Sequence, residues 1–141
     1  MEGCLMFIVS PAPHIRSSLT TQKIMYIVIL ALLPAGFAGV YIFGLSSLKI
    51  ITISIIACVL SEAAFLMLRN KDPRVVLDGS AILTGLLLAY NLPPEAPFWL
   101  PVVGGVVSIV LGKQIFGGLG HNIFNPALVG RAFLQISWPV Y

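Results

Sequence analysis

From Ile24 to Gly44 the chain runs for 21 residues without a charged side chain. A helix of that length covers roughly 30 Å, the thickness of a bilayer's hydrocarbon core. Backbone in that environment must satisfy its own hydrogen bonds, so an apolar run this long folds there as a helix. A second run, Leu48–Leu68, follows almost at once, with Lys49 near its start and Glu62 inside it. Charged residues make up 9% of the 141 residues and hydrophobic ones 58%, whereas soluble domains carry roughly 25% charged residues. Mean hydropathy is +1.01. A soluble fold of this size could not hide so much apolar surface in one core. The chain reads as an all-α integral membrane protein.

The net charge of +3 comes from too few basic residues to build a phosphate-tracking patch, which excludes a nucleic-acid-binding role. In a membrane protein such an excess sets orientation instead. Cys4 and Cys58 are too few for a disulfide framework or a metal site. The apolar stretch Cys4–Val9 is too short for the core of a secretion signal, and Glu2 has the wrong charge for its start. Residues 1–22, with Pro11 and Pro13 in them, are expected to form a cytoplasmic or interfacial tail. Residues 23–141 are expected to form a transmembrane helical half-domain.

The organisation of that half-domain follows from its breaks. Pro34 falls inside the first run and is expected to kink it. Leu45-Ser46-Ser47 reads as a short link to an antiparallel second helix. Arg69, Lys71 and Arg74 come next and, with Arg16 and Lys23, put five of the eight basic residues on one side. The positive-inside rule then places the N-terminus and the 69–75 loop in the cytoplasm. A third run, Ile82–Leu92, is too short to span alone and suggests a short or broken helix covered by other protein. Pro93, Pro94 and Pro97 end it, with Phe98 and Trp99 as an interfacial aromatic pair. A fourth span covers about Phe98–Phe116, and a partial fifth Ala127–Tyr141. Four transmembrane or broken helices plus a partial fifth are therefore expected.

Between the last two lies Gly117-Gly118-Leu119-Gly120-His121-Asn122-Ile123-Phe124-Asn125-Pro126. It lacks the third glycine of a dinucleotide loop and the lysine of a P-loop, and no strand precedes it. It is either a tight interhelical turn or a wall of a binding pocket. Glycine lets a ligand approach the backbone closely, and asparagine both donates and accepts. Asn125-Pro126-Ala127 matches the tripeptide of water channels, but those use two copies and this chain has one. An Asn N-cap with proline at the first helical position explains it as well. Glu62, Asp78, Lys113 and Arg131 lie in or near apolar surroundings, where a charge costs about 2.5–3.5 kcal/mol at a helix centre. Lys113 is expected to snorkel to the headgroups. Glu62 sits six residues before Leu68, roughly 9 Å from the helix end, and needs a proton or a cationic partner, with Arg131 and Lys113 as candidates. Asp78 caps the following helix or takes part in ion passage. His14 and His121 read as boundary residues, and no residue pair has the spacing of a catalytic or metal centre.

Several motifs occur in order: Ser10-Pro11-Ala12-Pro13-His14-Ile15, Asp78-Gly79-Ser80-Ala81, Asn91-Leu92-Pro93-Pro94, and Phe116–Pro126 through Gly130-Arg131-Ala132-Phe133-Leu134. Together they resemble the RnfD membrane subunit of the Rnf ion-translocating electron-transport complex, whose family includes a membrane subunit of the sodium-pumping NADH:quinone reductase. The resemblance implies a multi-pass flavoprotein of the bacterial or archaeal cytoplasmic (inner) membrane. It also implies two inverted helical halves with a urea-transporter-like fold, of which this chain resembles the first. The partners it implies are the other membrane and peripheral subunits of the complex, and the function is electron transfer of ferredoxin/NAD type coupled to sodium or proton movement. FMN is the implied cofactor, with riboflavin as the second candidate. The family attaches FMN to a threonine in a Gly-Ala-Thr motif that is absent from these residues, so no covalent acceptor is assigned and the isolated chain is not expected to be catalytic. Gly117, Gly118, Gly120, Asn122, Asn125 and Arg131 are the candidate cofactor-binding residues, and Glu62 and Asp78 the candidates for ion coupling. A passive channel or carrier of urea-transporter-like fold is the alternative.

Overall fold

A computed structural model describes residues 20–70 and 73–140 of the chain. Most of the expected tail, with Cys4, Arg16 and His14, lies outside the described residues, as do Lys71 and Asp72. The described residues form helices joined by turns: α1 (Thr21–Phe43), α2 (Leu45–Leu68), a 3-10 helix (Pro73–Asp78), α3 (Ser80–Tyr90), α4 (Trp99–Ile109), a π-helical turn (Val110–Gln114) and α5 (Pro126–Ser137). Of these, α1 and α2 are long and apolar enough by themselves to cross a membrane.

Local chemistry sets the ends of these helices. The Thr20 side chain accepts from Lys23 N, 3.3 Å away, and starts α1. The Leu45-Ser46-Ser47 link expected from sequence is not a loop, because those residues form the first turn of α2. Gly44 alone reverses the chain, at φ 73°, a region that costs a residue with a Cβ. Asn125 caps α5 by accepting from Ala127 N at 3.0 Å, with Pro126 next in line. The fourth run is helical from Trp99 to Gln114, close to the expected Phe98–Phe116, and passes at Val110 from α4 into the π turn. The fifth stops at Ser137, where Trp138 closes it and sets its ring edge-on to Trp99, 5.0 Å between centroids. Trp99 is thus half of an intramolecular pair, while Phe98 stays exposed.

Close approaches between helices fix their directions. Along α3, Gly85 faces Ile55 and Ser54 while Leu88 clusters with Ile50, so α2 and α3 are antiparallel. Gly112 faces Pro126, Gly104 faces Leu134 and Trp99 meets Trp138, so α4 and α5 are antiparallel too. Helix α3 is only 11 residues long, about 16 Å at helical rise, and lies at the centre. Seven of its residues are buried, from Ser80 to Ala89, against α2, α4, α1 and α5. In contrast α1 has no buried residue. The expectation of a short third helix covered by other protein holds.

Small residues make this packing possible. A Cβ on Gly85 would fall 2.7 Å from Ile55 Cα and 2.9 Å from Ser54 O, both backbone atoms that cannot step aside. On Gly39 the nearest atom would be Ser47 Oγ at 3.6 Å, an ordinary contact. Gly85→Ala should therefore lower the protein's thermal midpoint in detergent, by overpacking worth about 1–3 kcal/mol. Gly39→Ala should leave the midpoint nearly unchanged. Equal midpoints for the two variants would contradict the close α2–α3 contact.

Candidate functional site

Three chain segments bring their polar residues to one end of the bundle. Helix α2 carries Glu62, the turn into α3 carries Asp78 and Ser80, and the π turn carries Lys113 and Gln114. The π turn is the unexpected element. Its wider winding is fixed by Ile115 N donating to Val110 O at 3.0 Å. Such turns inside α-helices are rare and occur frequently at functional sites. Here two consecutive residues reach one acceptor. Lys113 Nζ and Gln114 Nε2 both donate to Glu62 Oε1, the amide at 2.8 Å. Gly112, just before them, has Pro126 so close that a Cβ would sit 2.8 Å from its Cα. The start of α5 is thereby pinned beside the turn.

Lys113 Nζ also donates to Ser80 Oγ, and Ser80 in turn donates its hydroxyl and its backbone N–H to Asp78 Oδ1, the latter at 2.8 Å. The result is one chain of contacts, Gln114–Glu62–Lys113–Ser80–Asp78. Glu62 is 0% and Lys113 2% exposed. A buried pair of this kind persists only where further hydrogen bonds satisfy its remaining atoms. Here one atom is left over: Glu62 Oε2 is buried with no hydrogen-bond partner among the described residues.

Two cavities meet at this network. One, of about 210 Å³, is lined by Glu62, Asp78, Lys113, Gln114, Gly117 and Gly118. The other, of about 250 Å³, is lined by Ser80, Thr84, Lys113, Leu119, Asn122 and Asn125 among others. Lys113 and Leu119 belong to both walls.

Most residues singled out from sequence converge here, with corrections. Lys113 does not snorkel to the surface; the π turn aims it inward at Glu62, where it is the cationic partner that Glu62 needs. Arg131 is not that partner, and its Nη1 is buried without a hydrogen bond among the described residues. Asp78 is not the N-cap of α3. Gly79 holds that position at φ 81° with no side chain to cap with, and Asp78 reaches past it to the Ser80 N–H. Gly117, Gly118 and Gly120 all have positive φ, so the loop is a turn that glycine makes with least strain. Nothing lies within 4 Å of a Cβ on Gly118 or Gly120. Asn122 donates to Phe124 O at 2.9 Å, and Asn125 is occupied as the α5 cap. Gly120 and Arg131 line neither cavity. Sequence reasoning misses Ser80 and Gln114. Their one signal is adjacency, Gln114 beside a lysine and Ser80 two residues after an aspartate.

Comparison with known proteins places this arrangement. The model of the NQR2, RnfD, RnfE family matches residues 8–141. The chain is 52% identical over 131 residues to the D-type subunit of the Na(+)-translocating ferredoxin:NAD(+) oxidoreductase complex of Acetobacterium woodii, covering 93% of this chain and 41% of that protein. It is 47% identical over 135 residues to the D-type subunit of the proton-translocating ferredoxin:NAD(+) oxidoreductase complex of Clostridium ljungdahlii, covering 96% and 40%. It is 41% identical over 137 residues to the D-type subunit of the ion-translocating oxidoreductase complex of Escherichia fergusonii, covering 96% and 39%. The chain thus spans about two fifths of the length of these curated relatives.

Because Glu62 and Lys113 share a buried pair, their removals should not be additive. Lys113→Met in the full-length subunit strands a buried carboxylate and should cost about 3–5 kcal/mol. Adding Glu62→Leu to it should recover most of that loss in thermal midpoint. Additive losses would show that the two side chains do not interact.

Proposed function

Since the chain belongs to the NQR2, RnfD, RnfE family, we propose that it is part of the RnfD-type membrane subunit of a complex coupling ferredoxin–NAD electron transfer to sodium or proton translocation. It works with the other membrane and peripheral subunits of that complex, in a bacterial inner membrane. The observation that carries the ion-coupling role is the hydrogen-bonded chain Glu62–Lys113–Ser80–Asp78, whose first three members are buried and whose last, Asp78, is half-buried, in a bundle with many exposed apolar side chains. Ionisable groups kept at membrane depth mark ion and proton pathways by default.

The alternating helices support a topology of four crossing segments and a partial fifth, with the N-terminus inside. The start of α1, the end of α2 and the start of α3 share one end of the bundle. That end carries Lys23 and Arg69, and basic residues favour the cytoplasm. A short central helix also suits one half of an inverted repeat of urea-transporter type, where broken helices meet near the midplane. The passive-channel reading rests on a single Asn-Pro-Ala where water channels use two, and the family match favours the redox complex over it.

FMN is the cofactor we assign to the whole subunit, and it would supply a carrier of one or two electrons. Both cavities are smaller than the roughly 300–1,000 Å³ of typical ligand sites. Open space beside Gly118 and Gly120, with Asn122 Oδ1 and Asn125 Nδ2 free of the bonds above, fits one wall of a flavin site. The rest of that site, and any covalent attachment, belongs to residues outside this chain.

Two experiments test the proposal. In the intact complex in sealed vesicles, Glu62→Gln should leave ferredoxin–NAD electron transfer running while the ion gradient per electron falls several-fold. Loss of the assembled subunit would instead assign Glu62 a purely structural role, and an unchanged gradient would remove it from the ion path. For topology, Ser47→Cys in the full-length subunit should react with an impermeant maleimide added to intact cells, and Asn70→Cys should not. The reverse pattern would invert the orientation.

A further inference from the structure

We propose that the Lys113 ammonium occupies a cation seat, and that a small inorganic monovalent cation takes this seat when the lysine side chain withdraws. The inference deepens the ion-coupling reading of Glu62 and rests on it for the membrane placement alone. The seat's ligands are oxygen atoms from two segments, Glu62 Oε1 on α2 and Ser80 Oγ at the start of α3. Behind Ser80 lies Asp78, so a cation here faces two carboxylates, one directly and one through a hydroxyl.

An independent observation points to a ligand beyond the lysine. Glu62 is 0% exposed, lines the cavity of about 210 Å³, and its Oε2 accepts nothing from the described residues. A fully buried carboxylate oxygen left without a donor is destabilising, and that cost is removed by a cation, with or without water, in the adjoining space. The cavity has room for several waters.

Lys113 has somewhere to go. It lines both cavities, so its flexible stem can swing from the seat toward Thr84, Asn122 and Asn125 without leaving the bundle. The Asn122 Oδ1 acceptor lies on that side, whereas Asn125 Oδ1 is held by Ala127 N. Gln114 keeps its own bond to Glu62 Oε1, so the carboxylate stays in place when the ammonium leaves. At the seat itself one unit of positive charge replaces another, and with the ammonium still nearby a divalent ion would add more repulsion, which is why a monovalent ion fits the exchange better than a divalent one. A lysine on a flexible stem is a compact point charge with three rotatable donors, suited to standing in for such an ion.

The test uses the intact complex in detergent, without electron donor or gradient, so its failure is separable from failure of the redox function. Lys113→Ala in the full-length subunit vacates the seat, and Lys113→Met fills it with an uncharged stem. The thermal midpoint of the subunit is read in NaCl, LiCl, KCl and choline chloride at equal ionic strength. Lys113→Ala should be destabilised in choline chloride and regain several degrees in at least one inorganic monovalent salt, as binding to the folded state alone requires. Lys113→Met, and Lys113→Ala combined with Glu62→Gln, should not regain them. Midpoints of Lys113→Ala equal in all four salts, or the same recovery shown by Lys113→Met, would overturn the proposal. If Lys113→Ala does not assemble, reductive methylation of the unsubstituted complex is read by peptide mass spectrometry. Labelling of Lys113 should rise several-fold in an inorganic monovalent salt over choline chloride, and equal labelling in all of them would overturn the proposal.

Discussion

The pair between Glu62 and Lys113 is the constraint around which the rest of the bundle is arranged. Removing two charges from water costs several kcal/mol per ion even after relaxation. The structure answers with neighbours rather than with solvent. Gln114 donates to the same carboxylate oxygen, Ser80 accepts from the ammonium, and Asp78 accepts from Ser80. Each neighbour comes with a backbone device that puts it there. The π turn presents Lys113 and Gln114 together, and Gly79 at positive φ turns the chain so that Asp78 reaches the first residues of α3.

The central helix is short, and the residues around it are small. Association inside a membrane gains little from hydrophobicity and much from close packing. Gly85 against Ile55, Gly105 against Ala57 and Gly112 against Pro126 bring backbones together where any Cβ would collide. Eleven residues end α3 at Tyr90, whose hydroxyl donates to Leu32 O on α1 at 2.8 Å, two residues before Pro34. Proline removes a backbone bond from that stretch of α1, and Tyr90 ties the weakened turn to the core. Gly36 leaves the space for it, since a Cβ there would lie 2.6 Å from the Tyr90 oxygen.

Helix number and order are legible in the sequence because membrane helices announce themselves as uncharged runs of known length. The shortness of α3 is legible too, from Asp78 and Gly79 on one side and Pro93 and Pro94 on the other. The Asn125 cap follows from Asn-Pro at a helix start. The direction of Lys113 is not legible. On a regular helix near a boundary, a lysine extends outward along its own stem, and nothing in the residue string marks a π turn. One extra residue in that turn reverses the answer. Arg131 misleads for a related reason: a residue string does not say which helices touch, and α5 packs on α4 and α3 rather than on the helix that carries Glu62. Asp78 reads as a cap because sequence does not distinguish a residue at the cap from one just before it, when the residue between them is a glycine.

Helix α1 is the outer wall of the polar end although it buries none of its own residues. Two of its side chains, Gln22 and Tyr26, donate to one acceptor, Leu77 O, at 3.0 and 2.9 Å. Leu77 directly precedes Asp78, so the residues that fix α1 at this end also fix the turn that holds Asp78 and Ser80. Met25, between them, lines the cavity into which Lys113 opens. A shift of α1 would therefore alter the 3-10 helix, then the Asp78 carboxylate, and through Ser80 the ammonium of Lys113. The outward face, with Phe37, Tyr41 and Ile42 strongly exposed, presents mainly apolar contact to whatever surrounds it. The inner face packs on α3 and α2, and hydrogen bonds at two levels, Leu77 and Leu32, anchor the helix there. The buried charges are thus linked mechanically to the least buried helix of the bundle, by bonds made to backbone carbonyls as well as by packing.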